Sequence, residues 1–134
     1  MKSWTEGIIQ QWKTDSIPLN KGALIEMIAE TEIALGFRFP GEFTELYLQT
    51  DGFAHQESSG CGYVIWPIHR ILHEFRESDN KNFIGFADLP GHHQTIGFLK
   101  NKKGVFRNSD QQSSFADTFR ECLQWMNKNT SLLH

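Results

Sequence analysis

The chain has 134 residues, with 13 Lys and Arg against 16 Asp and Glu, eleven Phe, four Trp and two Cys. A hydrophobic fraction of 39% is enough to pack a core in one domain of the usual ~100–150 residues, which excludes wholesale disorder and a disulfide-stapled miniprotein. The net charge of −3 is uneven: residues 1–60 carry four basic and nine acidic side chains and the remainder nine and seven, so the N-terminal half suits a basic partner and not phosphate.

Ser3-Trp4-Thr5-Glu6 has the spacing of a capping box, and Trp4, Ile8 and Trp12 repeat at helical spacing, so a first helix is expected to end near Lys13. Asp15 to Asn20, with Pro18, reads as a connector. A second helix is expected from about Lys21 to Leu35, with Leu24, Ile28 and Leu35 inward, Glu26 and Glu30 toward solvent, and Gly36 as its stop. Phe37-Arg38-Phe39 must be extended, because the residue before Pro40 is pushed out of the helical region. Pro40 opens a third helix in which Phe43, Leu46 and Tyr47 share a face, closed by the Asp51-Gly52 turn pair.

The texture then changes to short β-branched and aromatic runs. Gly60 to Trp66 and Asn82 to Asp88 read as strands, separated by Ile68 to Phe75 as a short helix or an irregular crossover. Gln94 to Leu99 and Gly104 to Arg107 flank Lys100-Asn101-Lys102-Lys103-Gly104, a hairpin with a Gly-closed loop. Ser114-Phe115-Ala116-Asp117 has the spacing of a helix start, and Phe115, Phe119, Cys122, Leu123 and Met126 carry a final helix to about Asn127. N-terminal helices, a central, mostly antiparallel sheet and a C-terminal helix make an α+β domain over residues 1–134 and not a doubly wound sheet. Trp66, Phe83, Phe86, Phe98 and Phe106 fall on these strands, so about half are expected in the core, the others being available to a binding face of the sheet.

Signals for chemistry are sparse. His69 and His73 stand four apart, but Arg70 occupies the position where a metalloprotease motif has its Glu, and the pair reads as structural. Gly91-His92-His93 reads as a polar turn after Asp88-Leu89-Pro90. Neither Cys61 nor Cys122 has the context of an activated thiolate, and each reads as a small buried residue. No nucleophile elbow and no phosphate-cradling loop is present, and the Lys100–Lys103 tip reads as a solvated edge guard. No apolar run reaches the roughly 18 residues of a membrane span, and the first residues lack the apolar core of a signal peptide. The expectation is a cytoplasmic protein without catalysis, cofactor or metal, and with neither nucleic acid nor membrane as partner.

The ordered set Glu32-x-x-Leu35-Gly36-x-x-x-Pro40-x-x-Phe43-x-x-Leu46-Tyr47-x-x-x-Asp51-Gly52-Phe53 resembles the opening of the SUKH superfamily, the Smi/Knr-like group. Tyr63-Val64-Ile65-Trp66-Pro67-Ile68 is similar to its first strand, and Asn82-Phe83-Ile84-Gly85-Phe86-Ala87-Asp88 to its Phe-x-Gly-Phe strand. Phe115-Ala116-Asp117-x-Phe119-x-x-x-Leu123 is like its closing helix. The chain departs from the pattern at Thr50-Asp51-Gly52, where Asn-Gly is more usual, and at His92, which stands where Asp follows the glycine.

The resemblance implies an α+β protein-interaction domain. Bacterial members typically act as immunity proteins that bind and neutralise a cognate polymorphic toxin, often a nuclease. The alternative it implies is a regulatory scaffold like the cell-wall synthesis regulators. A third reading, from another class, is a small enzyme or metal protein using His69, His73, His92 and His93. For an interaction domain, Asp51, Phe53, Trp66, Asp88 and His92 are the expected surface contributors, as turns and strand ends that converge at one edge of the sheet.

Overall fold

The computed structural model describes residues 3–55, 62–89 and 94–128. Helix α1 spans Trp4–Thr14, and the Ser3 hydroxyl accepts the Glu6 N–H as the capping box requires. Ile8 and Trp12 are buried on its inner stripe. Helix α2 covers Ile25–Leu35 and stops at Gly36, whose φ of +66° is the left-handed conformation that glycine takes at no steric cost. Helix α3 spans Gly41–Tyr47 and buries Phe43, Leu46 and Tyr47, as their spacing predicts.

α2 begins four residues later than its apolar pattern predicts. The segment ahead of it is held extended by the chain that leaves α3: Asn20 N–H donates to Gly52, Ala23 N–H to Tyr47, and Asp51 N–H to Lys21. Leu24 becomes the residue before the helix and is 64% exposed, so it is not an inward position.

Among the described residues strand β1 (Val64–Ile65) is the only strand before α4 (Ile68–Glu77), and the segment left open between helix and crossover is helical. Strands β2 (Phe83–Asp88), β3 (Thr95–Leu99), β4 (Lys102–Arg107) and β5 (Asp110–Ala116) follow, and α5 (Phe119–Lys128) closes the described chain. The five strands form one antiparallel meander in sequence order, an α+β arrangement.

Two local expectations are corrected. The β3–β4 hairpin turns at Lys100-Asn101, with Leu99 paired to Lys102, so Lys102 and Lys103 lie on the strand. Ser114, Phe115 and Ala116 belong to β5 and do not start the last helix. Its cap is Thr118, whose hydroxyl accepts the Glu121 N–H at 3.0 Å, so the true cap lies four residues downstream. Pairing with β4 outweighs the S-x-x-D signal, which states only a local option.

The main core is an aromatic column. Phe43 stacks between Phe39 (centroids 3.9 Å apart) and Tyr47 (4.0 Å), and meets Phe98 and Phe119 at 6.0 and 5.3 Å. Ile84, Phe86, Ile96, Phe98 and Val105 face this core. Their strand neighbours Phe83, Leu99 and Phe106 form a second cluster, which period-two alternation places on the opposite side. All five strand aromatics are buried, so none of their rings is left for an open binding face. Trp12 Nε1 donates to the Tyr63 hydroxyl at 2.8 Å, and that hydroxyl bonds Asn127 Oδ1, tying α1 and α5 to the chain entering β1.

Candidate partner-binding surface

Four of the five expected surface residues, Asp51, Phe53, Trp66 and Asp88, lie around the β1–α4 junction. Pro67 precedes α4 and carries no N–H, so the first free amide of the helix is that of Ile68, which donates to Asp51 Oδ1 at 2.8 Å. Gly52 (φ +74°) brings the backbone so close that a Cβ there would lie 2.7 Å from Trp66 C and O. The Tyr47 hydroxyl donates to Trp66 O at 2.6 Å, and Phe53 N–H to Ile65 O at 2.9 Å. The turn is thus bonded to the junction from both sides.

Burial raises the Asp51 carboxyl above its ordinary value of 3.8, with the Ile68 N–H and the charge of His69 opposing the rise. Burial, followed by the Asp51 charge, drives the Tyr47 phenol well above its usual range. On the other side of the junction, Arg70 pairs with Asp88 at 2.8 Å and its guanidinium lies 4.3 Å from the Trp66 ring centre. Asp88 Oδ1 also accepts the Thr95 hydroxyl. The Trp66 ring packs on Gly85, where a Cβ would come within 3.1 Å of it.

Asp51 and Asp88 therefore spend their charge on a helix N-terminus and on an arginine, which is structural work. Phe53 is 1% and Trp66 3% exposed, so both are core residues and not surface contributors. Phe53 is in edge-on contact with Trp12 at 5.0 Å, an enclosure its place beside a polar turn does not announce. His92 lies outside the described residues, as do His93 and Cys61.

His69 and His73 are exposed on α4. Among the described residues no group of three or more His, Cys, Asp or Glu side chains is placed to hold a metal ion. Cys122 is buried, and burial pushes its thiol far above the ordinary range, so it is no activated nucleophile. No helix among the described residues is long and apolar enough to cross a membrane.

The exposed surface that stands out is α2. Among the described residues, five of the six exposed large apolar side chains lie between positions 24 and 48: Leu24, Ile25, Met27, Ile33 and Leu48, with Ile33 82% exposed. Ile25, Ala29 and Ile33 follow at i, i+4 and i+8, which aligns them in one stripe. Leu24 and Leu48 extend its N-terminal end, since Ala23 N–H donates to Tyr47 O. Exposed Glu26 and Glu30 flank the stripe, and residues 22–37 contain no Lys or Arg.

Sequence reasoning missed this face, though it left a signal. Ile25, Met27 and Ile33 add apolar positions that the single inward stripe Ile28, Thr31 and Leu35 does not use.

A family model described as the SMI1 / KNR4 family (SUKH-1) matches residues 22–125. No curated protein matches the chain. The chain belongs to the SMI1 / KNR4 (SUKH-1) family, a generally non-enzymatic group that supports a protein-interaction role at the level of the family.

Proposed function

We propose that this protein is an immunity protein that binds a cognate toxin, a nuclease by preference, in the cytoplasm and neutralises it by covering its active site. The observation that carries the reading is the α2 face, an apolar stripe flanked by Glu26 and Glu30 on a segment, residues 22–37, that contains no Lys or Arg. A nuclease must hold phosphates, so its cleft is lined with Lys and Arg. Glu26 and Glu30 would speed encounter with such a cleft, and Ile25, Ile33, Leu24 and Leu48 would supply the dehydrated centre of the interface. Occlusion needs no chemistry from this chain, in keeping with carboxylates at the junction that already serve as cap and ion pair.

Co-expression with the product of the neighbouring gene tests this function. Growth should be arrested by the neighbour alone and restored by this protein. If the neighbour is harmless, or is toxic but neither bound nor neutralised, the immunity reading fails. The double variant Ile25→Lys/Ile33→Lys should change folding stability by no more than ~0.5 kcal/mol per site, because both positions are exposed. It should weaken toxin binding at least about tenfold by calorimetry, since it sets cations against a basic partner. Undiminished binding would remove α2 from the interface and with it the observation that carries this reading.

A further inference from the structure

The α2 face has a shape as well as a polarity. At about 3.6 residues per turn Ile28, Thr31 and Leu35 point inward, and a second row clear of them carries Ile25, Ala29 and Ile33. Ile25 and Ile33, 53% and 82% exposed, stand about 12 Å apart along the helix axis. Between them the exposed side chain of Ala29 ends at its Cβ. Two branched side chains with a single methyl between them make a notch, the shape into which one large apolar side chain of a crossing helix fits.

The charges on α2 around the notch have one sign. Glu26 and Glu30 lie on one flank of the row and Glu32 on the other, where its Oε2 accepts the Phe39 N–H at 2.7 Å. Glu26 and Glu30 are exposed, and the sole ion pair among the described residues is that of Arg70 with Asp88. The cations nearest in sequence, Lys21 and Arg38, stand outside the two ends of the helix, and Lys100 Nζ would lie 3.4 Å from a Cβ at Gly36. A basic occupant therefore lies across the middle of α2 and not along its whole length. A second copy of this chain is a poor occupant: paired antiparallel, two α2 faces set Glu26 and Glu30 against their counterparts, and paired parallel, against Glu32.

We infer that the α2 face receives a basic amphipathic helix of the partner, which crosses α2 at Ala29, seats one large apolar side chain in the notch and turns Lys or Arg toward Glu26 and Glu30. The inference rests on the partner-binding reading of α2 and names the element that the face takes up. Docking of this kind uses apolar anchors at helical spacing, here Ile25 and Ile33 on either side of the notch. Leu24 and Leu48, 64% and 44% exposed, widen the apolar seat at the N-terminal end. Ala29 is then the position that sets specificity, because a larger side chain there adds apolar area but closes the notch.

The test uses the full chain and a synthetic helix of about 18 residues built from Leu, Ala, Gln and Lys, with one Leu face flanked by Lys, and its counterpart with Glu in place of Lys. By 15N-resolved NMR the Lys peptide should bind saturably with a Kd on the order of 0.1 mM, its shifts centred on residues 24–34 and 48. The Glu peptide, and the Lys peptide with the Glu26→Gln/Glu30→Gln variant, should each bind at least about fivefold more weakly. Ala29→Leu, at an exposed position and with little change in helix propensity, should also weaken the Lys peptide at least about fivefold. Unchanged far-UV spectra show that both variants keep the fold. Equal or tighter binding by Ala29→Leu, equal binding of the two peptides, shifts centred elsewhere, no saturation by about 2 mM, or dimerisation of the chain through α2 would overturn the proposal. No toxin enters this titration, so its failure leaves the co-expression result untouched, and a harmless neighbouring gene product leaves the peptide result untouched.

Discussion

Replacing Gly52 by Ala should be among the costliest single-methyl additions in this protein, and the structure allows its size to be worked out. A left-handed φ of +74° costs an alanine about 1 kcal/mol. The new Cβ would also lie 2.7 Å from Trp66 C and O and 2.8 Å from Pro67 N, all backbone atoms that no rotamer change can move away. The turn must therefore retreat from the junction. That strains the buried bond from the Tyr47 hydroxyl to Trp66 O, worth about 1–3 kcal/mol if an unpaired group is left, and the Asp51 cap on Ile68, worth about 1 kcal/mol. The expected total is about 3–5 kcal/mol. Gly36 is the internal control, since its φ of +66° is nearly the same but its Cβ would meet only the far end of the Lys100 side chain, Nζ at 3.4 Å. Gly36→Ala should cost only about 1 kcal/mol. Urea unfolding followed by far-UV circular dichroism measures both. If the two variants agree within about 0.5 kcal/mol, the packing of the turn against the junction is not what the glycine serves.

Two further outcomes test the same junction. Because burial raises the Asp51 carboxyl, the folded state holds its proton more tightly than the unfolded chain. Its contribution is fully present below the ordinary value of 3.8 and is lost as the pH climbs through the raised folded value. Asp51→Asn keeps an oxygen for the Ile68 N–H and removes the titration, so the stability of wild type relative to this variant should fall as the pH rises from below 3.8 toward neutrality; a constant difference in urea midpoints would refute the assignment. Arg70→Ala loses a ring contact and an ion pair whose side chains are 23% and 30% exposed, which limits the loss to about 1–2 kcal/mol after solvent screening. In roughly 1 M salt the loss should shrink by no more than half, because the ring contact survives; its disappearance would show that the Trp66 stack contributes nothing.

Much of the architecture could be read along the chain because it rests on local rules. The Ser3 cap, the Gly36 stop, the inner positions of α3 and the core positions of α5 follow from side-chain spacing and backbone preference alone. Strand β5 could not be read in the same way. Its Gln111-Gln112-Ser113-Ser114 run is polar at the edge of the sheet, so no alternation marks it, and the Ser114 spacing imitates a helix start. The surface exposure expected of Phe53 and Trp66 was not met for a related reason. A residue beside a turn is usually exposed, but Phe53 is turned inward onto Trp12 by a bond from its own N–H to Ile65.

The sequence by itself determined the elements other than α4 and β5, the family resemblance and the acidity of the N-terminal half, because each is a property of neighbouring residues or of their sum. Only the tertiary structure decided which apolar side chains are spare. α2 has more Ile, Leu and Met than the core can accept, and its late start, imposed by hydrogen bonds between Asn20–Ala23 and Tyr47–Gly52, settles that Leu24, Ile25 and Ile33 remain in water. Burial and proximity between distant segments are set by packing, and no window along the chain contains them.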